Sequence, residues 1–410
     1  MLIKAFMAAG IEFNLNGRRI EIGRCSPNTT LLEYLRANGL TGAKEGCAEG
    51  DCGACSVAIV DRDSKGHAKY RAINSCLVPI CLMAGREIVS VEGVGGQCGR
   101  RNTECGCEKL HPIQRKMVEC HGSQCGYCTP GFIMSLFEGY YRGDIRTHDQ
   151  LDDQLCGNLC RCTGYRSIRE AAISAFAERH EKNGYDLFAE RLKQSSPDLA
   201  GVEYANGSEK FLRPTSLPEL LHLRHKFPEA RLIAGATELG LDITKRYKKF
   251  PTLISVEAVP ELKEIKSTDS EWHIGAAVTL TEIEENMASE FPALGRMLRV
   301  FGSRQIRNRA TMGGNIVTAS PIGDSAPVLL ALDAKVALAS AEVDSDAVMQ
   351  GVWEEVIPIK DFFVGYRQTA LQPNQVLKKI IVPRFASAPG LQRKCEWYKV
   401  SKRREMDIST

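Results

Sequence analysis

Sixteen cysteines in 410 residues are distributed with a bias that leaves few folds open. All but Cys25 and Cys395 fall from Cys47 to Cys162, so a thiol-rich front precedes a thiol-poor back. A secreted disulfide scaffold is shorter and denser in cysteine, so the pattern points to metal or redox use in a reducing compartment and to a cytoplasmic chain. The length suits two to four compact units rather than one. A net charge of +3, on 53 basic and 50 acidic residues, argues against a nucleic-acid or membrane partner. No segment approaches the ~20 apolar residues needed to cross a bilayer. The opening MLIKAFMAAG has too short an apolar stretch for a secretory signal.

Cys47, Cys52 and Cys55 form a C-x4-C-x2-C run, and Cys76 supplies a fourth thiol. This is the spacing that plant-type ferredoxins use for a [2Fe–2S] cluster. A tight loop must turn three thiolates toward a compact cluster without stranding backbone N–H groups. Gly46, Gly50 and Gly53 permit the turn, and the loop amides can donate to sulfur. Structural zinc also accepts four cysteines, but usually as paired C-x2-C knuckles.

A second set follows. Cys125-Gly126-Tyr127-Cys128 is C-x2-C, and Cys160-Arg161-Cys162 is C-x-C within Gly157–Tyr165. Each pair precedes a helical pattern, whose N-terminal amides and dipole favour anionic thiolates. Spacing alone leaves a [2Fe–2S] cluster, a zinc ion and a dithiol redox site open. A neighbouring cluster favours the first, because two clusters make an electron wire. Cys25, Cys81 and Cys395 read as small buried hydrophobes. Cys98, Cys105 and Cys107 lie in a Gly- and Arg-rich connector, where a third metal site would have Cys120 as its nearest fourth ligand.

The expected architecture is multidomain α+β. Residues 10–95 read as a ferredoxin-type β-grasp domain: Ile11–Leu15 alternates, Asn16-Gly17 supplies a hairpin turn, and Thr30 precedes a short helix ending near Gly39. Ser56–Val60 and Arg86–Val91 return to strand. Residues 108–181 show helical spacing over 114–121, 131–141 and 168–181, and read as a helical cluster-binding bundle. Residues 182–208 are polar and read as a linker. Residues 209–386 alternate strand and helix patterns and read as an α+β flavin domain, with 387–410 the start of its C-terminal subdomain.

No G-x-G-x-x-G follows a strand, which argues against a Rossmann site. Instead, two small-residue loops follow strand patterns, Leu232-Ile233-Ala234-Gly235-Ala236-Thr237-Glu238-Leu239 and Thr311-Met312-Gly313-Gly314-Asn315. Such loops let backbone N–H groups approach a pyrophosphate, although ordinary tight turns look the same.

His121–Gly131, Gly157–Tyr165 and Phe301–Asp324 closely resemble the molybdenum hydroxylases, the xanthine dehydrogenase and aldehyde oxidase family. The resemblance runs from Ile11 to the end of the sequence. It implies that Cys125, Cys128, Cys160 and Cys162 hold the cluster nearest a molybdenum cofactor, with Gln124 against its pterin. It implies a second cluster on Cys47, Cys52, Cys55 and Cys76. It further implies FAD on Leu232–Leu239, Phe301, Thr311–Asn315, Asp324, Leu377 and Lys399. Phe301 would cover part of the flavin, the two loops would hold the diphosphate, and Asp324 would take a ribose hydroxyl or cofactor edge. The implied role is the small electron-transfer subunit of an NAD-dependent purine-oxidising enzyme. Its partner would be a large molybdenum subunit in a heterotetramer of two small and two large chains, and that partner would carry the hydroxylation chemistry. The alternatives are a relative acting on aldehydes or other heterocycles and, from another class, a zinc-binding interaction protein.

Overall fold

The computed structural model describes residues 10–95, 110–179, 186–343, 349–384, 394–403 and 406–409. Cys98, Cys105 and Cys107, with the third metal site considered for them, lie outside the described residues.

Strands β1 (Ile11–Leu15) and β2 (Arg18–Ile22) form the expected hairpin, closed by Asn16 at φ 52° and Gly17 at φ 77°. Helix α1 (Leu31–Ala37) begins with a capping box, in which the Thr30 hydroxyl accepts from the Glu33 amide and the Glu33 carboxylate accepts from the Thr30 amide. Strands β3 (Ser56–Arg62), β4 (Ala68–Asn74) and β5 (Glu87–Val89) complete a sheet of order β2-β1-β5-β3-β4, with β1 and β5 parallel at its centre. That is the expected β-grasp.

The first five residues of β3 are all buried, which a sheet with one wet face would not require. The reason is a core on either side. Val57 and Ile59 join α1 and the apolar side chains of the later domain, whereas Ala58 and Val60 face the helices. Those helices are α2 (Val91–Val94), α3 (Pro112–Glu119), α4 (Thr129–Tyr141), α5 (His148–Leu155) and α6 (Arg166–Glu178). Helix α4 is buried almost all round, including Glu138, and forms the axis of the bundle.

From Asp186 on, the polar stretch read as a linker is structured. It holds α7 (Leu187–Lys193) and β6 (Val202–Asn206). Phe188 of α7 packs edge-on against Tyr70 and Phe137. Asn206-Gly207 turns β6 into β7 (Glu209–Arg213) as an antiparallel pair. A hairpin turn resembles a linker when its first strand is mostly exposed.

The flavin-domain region continues with α8 (Leu217–Lys226), β8 (Arg231–Ile233), α9 (Leu239–Thr244) and β9 (Thr252–Ser255). Their sheet has the order β6-β7-β9-β8. Phe211, Ile233 and Leu253 of this sheet pack into the same core as Phe13, Leu35 and Ile59 of the β-grasp. Next come β10 (Ile265–Ser267), β11 (Glu271–Gly275), α10 (Leu280–Met287), α11 (Pro292–Arg299), α12 (Arg304–Arg307), α13 (Met312–Thr318) and α14 (Ser325–Ala331). Strands β12 (Lys335–Val343), β13 (Met349–Pro358), β14 (Phe363–Gly365), β15 (Gln368–Thr369) and β16 (Gln375–Pro383) finish the fold. An antiparallel sheet of order β10-β11-β16-β12-β13 packs on the helices over a separate, larger core.

Candidate functional site

The thiols of each expected set are brought together, and they pair. Cys55 Sγ lies 3.3 Å from Cys76 Sγ. Cys47 and Cys52 share a hydrogen bond, and each sulfur also accepts from the other residue's amide, at 3.3 and 3.4 Å. In the second set Cys125 Sγ lies 3.6 Å from Cys162 Sγ, and Cys128 bonds Cys160. Among the described residues no three such side chains converge on a single ion position. Two pairs of thiols are what a two-iron core requires, since each tetrahedral iron takes two thiolates beside its sulfides. The donor sets fit [2Fe–2S] clusters better than one zinc ion.

In each thiol pair one sulfur is pushed toward thiolate and its partner is pushed away from it. Hydrogen bonding from the Cys52 thiol, against the effect of burial, and from the amides of Glu49 and Cys52 holds Cys47 down to about 5. Cys52 is correspondingly raised, by its Cys47 partner and by burial. Cys125 is lowered by the Tyr127 amide and the Cys162 thiol. Burial pushes Cys128 up to about 12, with its Cys160 partner adding to the rise. Cys128 occupies the position before α4, as expected, but its side chain makes no capping hydrogen bond there. For Cys160 the donor is different from the expected helix terminus: the Thr163 amide, at 3.4 Å, lies in the loop before α6.

Glycine is required at these loops. Gly50 and Gly53 have φ of 88° and 66°. A Cβ on Gly53 would sit 2.2 Å from the Gly157 carbonyl, and one on Gly131 would sit 2.2 Å from the Gly53 carbonyl. The two cysteine loops therefore touch backbone to backbone. Between them the Leu159 amide donates to the Cys52 carbonyl at 3.0 Å, so one hydrogen bond joins Cys52 to the residue before Cys160. The Tyr127 hydroxyl donates to the Glu45 carbonyl as a second tie. Cys55 and Cys76 are buried, whereas Cys125, Cys162 and Gln124 are exposed. The first set is thus the deeper, with Cys47 and Cys52 half-buried, and the second reaches the surface.

The loop Leu232–Leu239 runs from β8 into α9. A Cβ on Gly235 would lie 1.6 Å from the Arg309 carbonyl, and Ala236 takes φ 67°. Helix α9 then reaches the first cysteine loop: Gly240 packs on the Leu77 backbone beside Cys76, and the Thr244 hydroxyl donates to the Ala48 carbonyl at 2.7 Å. Thr311–Asn315 follows α12 rather than a strand, contrary to expectation. Thr311 instead caps α13, accepting from the Gly314 amide at 3.0 Å, and forms a lone bridge with Thr279. Gly313 packs where a Cβ would meet the Ala276 carbonyl at 2.4 Å.

Leu232, Phe301, Met312 and Leu377 pack in or against one apolar cluster. Asp324 pairs with Lys399 at 2.8 Å, and its other oxygen accepts from Ser409 at 2.6 Å. Four of the expected flavin residues therefore share the larger core, Ile233 and Ala236 belong to the core shared with the β-grasp, and Asp324 already has partners for both oxygens. Small-residue loops held by backbone contact, an apolar wall and a buried lysine fit a flavin dinucleotide.

Sequence reasoning missed the residues that join the domains. Glu138 accepts from the Ala72 amide, the Gln154 and Asn308 side-chain amides and the Arg304 guanidinium. Arg307 pairs with Asp153 at 2.5 Å, and Arg71 makes two 2.8 Å bonds to Glu285. A dense charge pattern over 303–309 was the available signal.

Three family models match in chain order. Residues 13–81 match a 2Fe-2S iron-sulfur cluster binding domain, 91–173 a [2Fe-2S] binding domain, and 205–385 the FAD binding domain in molybdopterin dehydrogenase. The chain is 33% identical over 457 residues to a xanthine dehydrogenase of Emericella nidulans, covering 97% of this chain and 32% of that one. It is 34% identical over 423 residues to a xanthine dehydrogenase of Drosophila pseudoobscura, covering 90% and 30%. The chain thus spans about a third of the length of these relatives. Among solved structures, a carbon monoxide dehydrogenase from Hydrogenophaga pseudoflava matches 48% of this chain and 65% of its own, at 25% identity and a TM-score of 0.41.

Proposed function

Because the chain belongs to the molybdenum hydroxylase family, as its iron–sulfur and FAD portion, we propose that it is the electron-transfer subunit of an NAD-dependent xanthine dehydrogenase. Cys47, Cys52, Cys55 and Cys76 would hold one [2Fe–2S] cluster, and Cys125, Cys128, Cys160 and Cys162 the other. Leu232–Leu239, Phe301, Thr311–Asn315, Asp324, Leu377 and Lys399 would hold FAD. Bound there, the clusters supply one-electron carriage and the flavin a two-electron store able to reduce NAD⁺.

The observation that carries this reading is the order of contacts. Helix α9 links the flavin loop to the Cys47–Cys52 loop, and the Leu159 amide links that loop to Cys160. The thiol pair Cys125 and Cys162, in the same set as Cys160, is exposed. Electrons from a molybdenum cofactor in a separate large subunit would enter there, beside Gln124, and leave at the flavin. We read the assembly as a heterotetramer of two small and two large chains. A cytoplasmic location is part of this reading, supported by thiols that must stay reduced to hold clusters.

The test uses the assembled enzyme carrying Cys160→Ser and verified to retain FAD. NADH-to-dye transfer should survive, because it needs only the flavin end, while purine-to-NAD⁺ turnover stops. Loss of the NADH-to-dye reaction with purine turnover intact would overturn the order. Turnover of aldehydes but not purines by the unaltered enzyme would overturn the substrate assignment alone.

A further inference from the structure

The segment Ser303–Arg309 lies between two expected flavin residues, Phe301 and Thr311, yet Arg304, Gln305, Arg307 and Asn308 reach the iron–sulfur domains. Arg304 and Asn308 bond Glu138, Arg307 bonds Asp153, and Asn308 also donates to the Ala72 carbonyl. Gln305 is bound to both halves of the second cysteine region. Its amide nitrogen donates to Ser135 Oγ at 2.7 Å and to Asn158 Oδ1 at 2.8 Å, while Ser135 Oγ donates to the same Asn158 oxygen at 2.6 Å. The triangle uses both Gln305 N–H groups and both lone-pair sites of the Asn158 oxygen.

Asn158 is held with its other end fixed. Its Nδ2 donates to the Gly53 carbonyl at 3.2 Å, next to Cys52, and the following amide, Leu159, donates to Cys52 itself. Gln305, Ser135 and Asn158 are each no more than 2% exposed. A Cβ on Gly157 would lie 2.2 Å from Gln305 Oε1, so the C-x-C loop is seated directly on this side chain. The Gln305 carbonyl has no hydrogen-bond partner among the described residues, a cost that a leucine filling the same space would avoid. The amide is therefore placed for its two donors.

We infer that Gln305 is a positioning residue through which the flavin domain sets the contact between the two cysteine loops. By orienting Asn158 it fixes the Leu159 amide on the Cys52 carbonyl, and with it the separation of the two thiol sets. The inference rests on the electron-transfer reading for its purpose, but not for its geometry.

The experiment takes the full chain with Gln305→Leu, loaded with iron, sulfide and FAD. Hydrogen exchange at the Leu159 amide should quicken about ten-fold, since its neighbour loses its restraint. The spin–spin splitting between the two reduced clusters in low-temperature EPR should shrink, while each cluster's own signal and the FAD content stay at the unaltered level. Unchanged exchange and unchanged splitting would overturn the inference. If Gln305→Leu does not fold, Gln305→Glu, which also lacks donors when ionised, is read in the same way. Failure of both to fold would assign the residue a purely structural role and overturn it as well. Absence of cluster signals from the unaltered protein would count against the electron-transfer reading, whereas Leu159 exchange would still decide the positioning.

Discussion

Lys399 holds its ammonium 2.8 Å from Asp324 Oδ2 and 3.3 Å from the Val300 carbonyl, joining the C-terminal segment to the residue before Phe301. Both side chains are largely buried, with 5% and 11% of their surface exposed. Removing one member of such a pair leaves the other charge buried without a counter-charge. Lys399→Met should therefore cost about 3 kcal/mol of stability and release flavin. Thermal unfolding and the ratio of bound flavin to protein check both effects.

Gly235→Ala places a methyl 1.6 Å from the Arg309 carbonyl, so the flavin loop must move. Flavin content should fall to near zero while the iron and sulfide content and both EPR signals persist. Retained flavin would show that the loop is not part of that site.

Cys52→Ser should remove one of two [2Fe–2S] EPR signals and about half of the iron, leaving the other signal in place. The Leu159 amide binds the Cys52 carbonyl, which serine retains, so the second loop keeps its seat. Loss of both signals would mean that the second set cannot assemble without the first.

Arg86 of the β-grasp joins Asp61 to Glu257 of the flavin domain. Burial works against the charged form of Asp61, but Arg86, Lys263 and Arg309 outweigh it and hold the carboxyl at about 2. An unfolded aspartate titrates near ~3.9, so this group stabilises the fold above about pH 4 and ceases to do so as pH falls toward 2. Asp61→Asn should be less stable than the unaltered chain at neutral pH, and the two should converge on acidification. Urea midpoints measured across that range decide it.

The cysteine motifs were legible because each motif is local in sequence: a loop of nine residues, Cys47 to Cys55, carries three of the first four thiols, and the second four fall in two short motifs, Cys125–Cys128 and Cys160–Cys162. The capping box at Thr30 and Glu33 was equally local. What escaped was set by distant partners. Helix α5 has few apolar residues in sequence, and its Asp153 and Gln154 are buried only because Arg307 and Ser135 meet them. Strand β4 hides Arg71 because Glu285 pairs with it from more than two hundred positions away. Helix α7 finds its apolar contact on another domain, so no periodicity within residues 182–208 could announce it.

The segment Ser303–Arg309 also sets a limit on modularity. By sequence it lies within the flavin-domain match, yet by contact it belongs to all three domains. A chimera that imports a relative's flavin domain at the matched boundary would carry the arginines and amides of that segment without the carboxylates and carbonyls they are fitted to. Grafts should succeed only when Glu138, Asp153, Ser135 and Asn158 travel with the segment they bind. The practical unit of exchange in this chain is an interface rather than a domain.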